Sequence, residues 1–165
     1  MTAAVQTLGD RPEFQQALRE DPSRIPTFIE EAVRMHSPTK VDFRLVRKST
    51  TLGGVALPAG TIVMLCLGAA NRDPRKFEDP HEFRPDRKNV REHIAFGRGI
   101  HTCAGAPLAR VEGQITVRRL LDRMSDIRID ESKHGAAGAR NYVYEPTFLL
   151  RGLTELHIEF TAAAG

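Results

Sequence analysis

Phe96-Gly97-Arg98-Gly99-Ile100-His101-Thr102-Cys103-Ala104-Gly105 is the stretch on which the reading of this chain turns. Three glycines in ten residues permit positive φ and let backbone approach a flat group closely. Pro107 follows at once and marks the first turn of a helix, so Cys103 falls just ahead of a helix start. The unpaired N–H groups and positive dipole end there stabilise an anion and favour thiolate over thiol. Phe96 offers an aromatic wall, and Arg98 and His101 offer donors. An inert cysteine in a glycine turn is the bland alternative. A Phe, two glycines, a His and a Cys at fixed spacing argue instead for a functional loop.

Outward from the loop, the C-terminal side reads as a helix from Pro107 to about Met124. Leu108, Val111 and Ile115 share one of its faces, and Val117, Leu120, Leu121 and Met124 cover another. A helix apolar on two sides is one buried between neighbours. After the Gly/Ala-rich loop Gly135 to Ala139, strands are predicted around Thr147–Leu150 and Glu155–Phe160, the second alternating Leu156, Ile158 and Phe160 with His157 and Glu159. On the N-terminal side, Asn71 to His93 is dense in Pro, Asp, Arg and Lys without a sustained period, and predicts a connector ordered by packing.

Further upstream, short strands begin at Phe43. Leu52-Gly53-Gly54-Val55 reads as a hairpin turn, and Pro58-Ala59-Gly60 as a second turn before the apolar run Thr61 to Leu67. The first third is helical. Asp10-Arg11-Pro12 opens a helix to about Leu18; Ser23 with Pro26 opens another, whose Ile25, Phe28, Ile29, Ala32 and Val33 follow a 3.6-residue period until Pro38. Glu31 and Arg34 lie opposite that stripe, so pattern alone makes them a surface pair. The fold class is therefore mainly α with small antiparallel β-sheets (α+β).

Composition narrows the function classes. The 165 residues fit one domain, and 41% hydrophobic content suffices for a core. Two cysteines, Cys66 and Cys103, with no CxxC exclude a disulfide framework and a thiolate zinc site, and point to a reducing, cytoplasmic setting. A net charge of +3 is too mild for a nucleic-acid partner. The apolar run Ile62 to Ala70 is too short to span a bilayer.

Phe96-x-x-Gly99-x-His101-x-Cys103-x-Gly105 resembles the haem-binding signature of cytochromes P-450, in their soluble bacterial form. Four more segments, in order, carry the same resemblance. They are Glu31-Ala-Val-Arg34, Ala70-Asn71-Arg72-Asp73-Pro74, Phe83-Arg84-Pro85-Asp86-Arg87, and the flanks His93-Ile-Ala-Phe96 and Leu108-Ala-Arg110-Val-Glu112. The resemblance implies haem b (iron protoporphyrin) with Cys103 as its axial ligand, whose electron donation favours O–O cleavage.

Around that ligand, the resemblance makes Phe96, Gly97, Gly99 and Gly105 haem contacts, and Arg44 and His101 propionate partners, with Arg47 competing for the Arg44 role. It implies that Glu31 and Arg34 lock to Arg87 and brace the fold. Lys40, Val41, Asp42, Phe148 and Leu149 resemble substrate-facing positions. Arg75, Lys76, Lys88, Arg91, Arg98 and Arg110 read singly as solvated charges and together as a docking surface for an acidic electron-transfer protein.

As a whole, residues 1–165 are expected to be the C-terminal part of one such domain. The chain has no A-G-x-x-T, no W-x-x-x-R and no Trp, and Met1-Thr-Ala-Ala-Val-Gln-Thr-Leu8 resembles the end of the distal helix. Implied by the resemblance is O2 activation and oxygen insertion into a small apolar organic substrate. Electrons would come from NAD(P)H through a ferredoxin or flavin reductase. The alternative is a non-catalytic haem-binding or oligomerising remnant, completed by an N-terminal half or by self-association.

Overall fold

The structure, a computed structural model, describes residues 1–163; Ala164 and Gly165 lie outside the described residues. Three helices open the chain: α1 (Thr2–Asp10), α2 (Pro12–Glu20) and α3 (Ile25–His36). Pro12 sits in the first turn of α2, where its missing N–H costs nothing. A single 3-10 turn at Pro22–Arg24, capped by the Asp21 carboxylate on Ser23 N–H, leads into α3. Ser37 closes α3 in the left-handed region, one residue before Pro38.

Three two-stranded antiparallel sheets follow. β1 (Asp42–Leu45) pairs with β4 (Ile62–Leu65), and β2 (Thr50–Leu52) pairs with β3 (Val55–Leu57) across Gly53-Gly54. Both glycines have positive φ, as a two-residue hairpin turn demands. The short helix α4 (Leu67–Ala70) then passes into the connector, whose only helical turn is Val90–Glu92. The helix expected after the cysteine loop is α5 (Ala106–Arg123).

The C-terminal side departs from expectation. Met124 does not end α5; it begins β5 (Met124–Ile129), which pairs with β6 (Ile158–Ala162). In β5, Ile127 and Ile129 are buried and alternate with the polar Asp126 and Arg128; the alternation directly abuts a helix, with no turn residue to announce it. The strand predicted at Glu155–Phe160 starts three residues later, and Phe160 is exposed. Thr147–Leu150 forms no strand. Thr147 Oγ1 bonds both the carbonyl and the N–H of Leu150, a local turn that competes with a ladder, leaving one bridge from Leu150 to Thr39.

The core gathers α1, α2, α3, α5 and β5 around Leu8, Leu18, Phe28, Val117, Leu121 and Ile127. Phe14, Phe28 and Phe83 pack as a tilted aromatic trio, centroids 5.1 to 5.7 Å apart, which draws the connector onto α3. Gln15 ties α2 to its neighbours: its amide donates to the carbonyls of Leu8 and Ile127 and accepts from Ile127 N–H. Gly113 permits α5 to lie against α3, since a Cβ there would meet Ile29 Cγ2 at 3.1 Å.

Glu31 and Arg34 are not a surface pair. Both are fully buried. Leu108, Val111 and Ile115, the second apolar face of α5, are 62%, 52% and 56% exposed, so only one of its two faces is covered by the described residues.

Candidate functional site

The connector is held by arginines rather than by regular structure. Glu31 accepts two hydrogen bonds from Arg34, at 2.7 and 2.8 Å, one from Arg87 at 3.0 Å and one from Arg84 N–H at 2.8 Å. Arg34 also donates to the carbonyls of Asn71, Pro80 and Glu82. Arg87 donates to those of Glu78, Asp79 and Glu82. The structure thus brings Glu31, Arg34 and Arg87 into one buried cluster. Asn71, also buried, joins it to the cysteine loop: its side chain donates to Ser37 Oγ and accepts from Ile94 N–H.

The loop itself folds back on Phe96. Cys103 N–H donates to the Phe96 carbonyl at 2.7 Å, and Thr102 N–H to that of Gly99. Gly97 (φ 68°) turns the chain where a Cβ would meet the His101 carbonyl oxygen at 2.9 Å, so only glycine fits. Gly99 also has positive φ. Ala106 N–H caps back to the Cys103 carbonyl, and α5 starts there with Gly105 as its N-cap. Cys103 is exposed, and a Cβ on Gly105 would lie 3.7 Å from its sulfur.

Cys103 opens onto a cavity of about 620 Å3, within the range of cofactor clefts. Phe96, Gly97, Arg98 and His101 from the loop, and Asp42 and Arg44 from β1, line it. Its apolar walls come from α1, α3, β4 and α5, among them Ala4, Ile29, Val33, Leu65 and Ala109. The donor set fits an iron porphyrin: one thiol beside largely apolar walls, and two arginines with a histidine as donors for peripheral carboxylates. Arg44 already grips a carboxylate, Asp42, at 2.6 Å. That hydrogen bond, with the Phe43 N–H, holds the Asp42 carboxyl below its ordinary range.

Not every expected position reaches the cavity. Of the expected substrate-facing positions Asp42 lines it, beside Pro38 and Thr39, whereas Lys40, Val41, Phe148 and Leu149 are absent from its lining. These four form an adjoining layer, with Lys40 N–H donating to the Leu149 carbonyl at 2.8 Å and Phe148 stacked on Phe43 at 6.5 Å. Arg47 is not in the lining either, whereas Arg98 is. Three of the six basic residues read as a docking surface are neutralised: Arg75 by Asp73, Lys76 by Glu92 and Arg110 by Glu30. Lys88, Arg91 and Arg98 form no ion pair among the described residues.

The group that sequence reasoning missed is Glu30 with His93 and Arg110. Its one visible signal was a second acid beside Glu31 on a helix flanked by apolar residues.

Fold and cavity together define a mainly α, cofactor-binding domain whose pocket opens on an exposed cysteine. Residues 3–129 match the family model "Cytochrome P450". The chain is 50% identical over 125 residues to "Cytochrome P450 144" of Mycobacterium tuberculosis, covering 76% of this chain and 29% of that protein. With "Beta-dihydromenaquinone-9 omega-hydroxylase" of the same species, identity is 41% over 155 residues, covering 94% of this chain and 30% of the relative. The Mycobacterium marinum cytochrome P450 CYP150A6, solved substrate-free, superposes with a TM-score of 0.96 at 64% identity, over 99% of this chain and 40% of that one.

The chain belongs to the cytochrome P450 family, whose cofactor is haem iron. It spans about a third or less of the length of these curated relatives.

Proposed function

We propose that this chain supplies the iron-ligand side of a haem-thiolate monooxygenase, as part of one haem-binding domain. The observation that carries the reading is Cys103 opening on the same cavity as Arg44, Arg98 and His101. In this reading Cys103 ligates the iron of haem b, and Arg44, His101 and Arg98 hold the two propionates. Arg44 exchanges its Asp42 partner for one of them. Phe96 walls the sulfur, and Gly97, Gly99 and Gly105 keep side chains out of the way of the ring. Glu31, Arg34 and Arg87 brace the connector behind the loop.

When bound, the haem supplies reductive activation of O2, one atom entering a substrate C–H bond and the other leaving as water. The residues present serve binding and orientation: Cys103 would hold the iron, and Arg44, Arg98 and His101 the propionates. The substrate class is a small apolar organic molecule, in keeping with the apolar walls. Two relatives named as hydroxylases, of beta-dihydromenaquinone-9 and of 6-deoxyerythronolide B, support an oxygen-inserting reaction. Lys40, Val41, Phe148 and Leu149 stand behind Thr39 and Asp42 as an outer layer of the substrate region. Electrons reach the site from NAD(P)H through a ferredoxin or flavin reductase, and unpaired Lys88 and Arg91 offer that partner its cationic contact. The setting is cytoplasmic; no helix among the described residues is long and apolar enough to cross a membrane.

The test is the absorption spectrum of the reduced, haem-loaded protein under carbon monoxide. A thiolate-type Soret band should appear in the wild type and in Cys66→Ala and vanish in Cys103→Ala. Survival of the band in Cys103→Ala, with loss in Cys66→Ala, would overturn the ligand assignment. A thiolate band without turnover alongside a reductase would favour a haem-binding protein without catalysis, a reading to which the exposed face of α5 lends support.

A further inference from the structure

Adjacent positions on a helix point about 100° apart, so two neighbouring acids serve different partners. On α3, Glu31 faces the connector. Glu30, 2% exposed, faces the two limbs that flank the cysteine loop. One of its oxygens accepts from Arg110 Nε at 2.5 Å, on the helix after Cys103. The other accepts from His93 Nε2 at 2.9 Å, on the strand of chain before Phe96. His93 Nδ1 accepts from Ala95 N–H at 3.2 Å, which assigns the Nε2–H tautomer as donor to Glu30.

All of these contacts converge on Phe96. The Arg110 guanidinium lies 4.8 Å from the ring centroid, and the His93 ring 6.0 Å from it on a tilt. The Phe96 carbonyl in turn receives the Cys103 N–H. Removing one member of such a buried cluster leaves the others uncompensated, so Glu30, His93 and Arg110 act as a unit. An aliphatic residue at position 30 could not join the two limbs.

We infer that Glu30, His93 and Arg110 form a positioning clamp that fixes Phe96 and, through its carbonyl, sets where Cys103 presents its sulfur. The inference rests on the reading of Cys103 as iron ligand. None of the three residues touches the cofactor cavity's reacting atoms; they act through Phe96.

Two variants test it in the full chain, with and without haem. Arg110→Met keeps the stem of a side chain that is 34% exposed, so the fold should survive; Glu30→Gln removes the charge from the buried end. Without haem, amide exchange across residues 96–103 should accelerate about tenfold in both variants, while α1 and α2 remain protected as in the wild type. Arg110→Lys, which keeps the charge but not the planar fork, should fall between. With haem, the reduced carbon monoxide spectrum should lose a large share of its thiolate band.

Exchange within about twofold of wild type in Arg110→Met overturns the clamp, whether or not Glu30→Gln folds. Faster exchange with an undiminished thiolate band overturns its action on the ligand. Cys103→Ala separates the two readings. A wild type without any thiolate band, or a band that survives Cys103→Ala, defeats the ligand assignment. The exchange arm judges the clamp independently.

Discussion

Arg87→Ala removes one guanidinium from the connector while leaving the Glu31–Arg34 pair intact on α3. The side chain is 3% exposed and donates to Glu31 at 3.0 Å and to the carbonyls of Glu78, Asp79 and Glu82. One charge-assisted hydrogen bond is worth about 1.5 to 3 kcal/mol net, and a buried acceptor left unmade about 1 to 3. Glu82 keeps a bond from Arg34, and Glu78 and Asp79 lie where water can replace the lost donor, so their share is small. The expected loss is about 3 kcal/mol, against about 0.5 for a surface substitution. For a domain of ordinary stability, that is a large fraction of the total. Urea titration followed by far-ultraviolet circular dichroism reads it as a lowered midpoint, with Arg75→Ala at an exposed pair as the comparison. A loss for Arg87→Ala no larger than for Arg75→Ala would mean that the buried cluster contributes nothing to holding the connector.

Acid should weaken the fold in two windows. Burial, then the charges of Arg151 and Arg72, push His36 from its ordinary 6.5 down to about 4. Burial pushes the Glu30 carboxyl up, but hydrogen bonds from His93 and Arg110 outweigh it and hold it at about 2, below its ordinary 4.5. In both cases the unfolded chain binds the proton more readily, so stability is full above the unfolded value and falls with pH, first between 6.5 and 4, then between 4.5 and 2. The His36 window accounts for at most about 3 kcal/mol, and the Glu30 window for about 1 to 3 because Arg110 is partly open to water. His36→Gln should flatten the upper window; equal urea midpoints for the wild type at pH 6.5 and pH 4 would refute the first window, and equal midpoints at pH 4.5 and pH 2 the second. Separately, the chain should self-associate through Leu108, Val111 and Ile115, which form an exposed stripe along α5. Sedimentation velocity should show Val111→Glu shifting the distribution towards monomer, and a monodisperse wild-type monomer would refute the expectation.

Much of the fold was legible because local signals and packing agree in α2, α3 and the first hairpin. Pro12 in the first turn, the apolar period from Ile25 to Val33, and Gly53-Gly54 at positive φ each carry their own reason. What escaped was decided at long range. β5 exists because β6, some thirty residues later, supplies its partner, and the boundary with α5 has no breaker. Glu31 and Arg34 sit on the polar side of their helix, and only the arrival of connector carbonyls makes that side an interior. Around Cys103, the glycine turns and the helix start that follows were readable from spacing. The place of Arg98 in the cavity and of Arg110 beneath Phe96 was not, because nothing in a charged side chain's sequence position says whether it finds water or a buried acid.

The two acids of α3 explain why so irregular a connector needs so little secondary structure. Twenty-odd residues between Asn71 and His93 present backbone carbonyls that no helix or strand satisfies, and several of them turn inward. Lysine could meet such groups only as a point charge on a flexible stem. Arginine offers a planar fork of five donors, and Arg34 uses it to reach three carbonyls and a carboxylate at once, with its face against Phe77 at 5.1 Å. Five N–H groups need acceptors in a dry site, and an uncompensated guanidinium there would cost several kcal/mol. Glu31 removes that penalty for two arginines together. Glu30 does the same for Arg110 and gives His93 its acceptor, one residue earlier on the same helix. A single turn of α3 therefore holds the connector with one carboxylate and the cysteine loop with the other. The position of Cys103 relative to the core is set by ionic geometry, with the apolar residues left free to line the cavity.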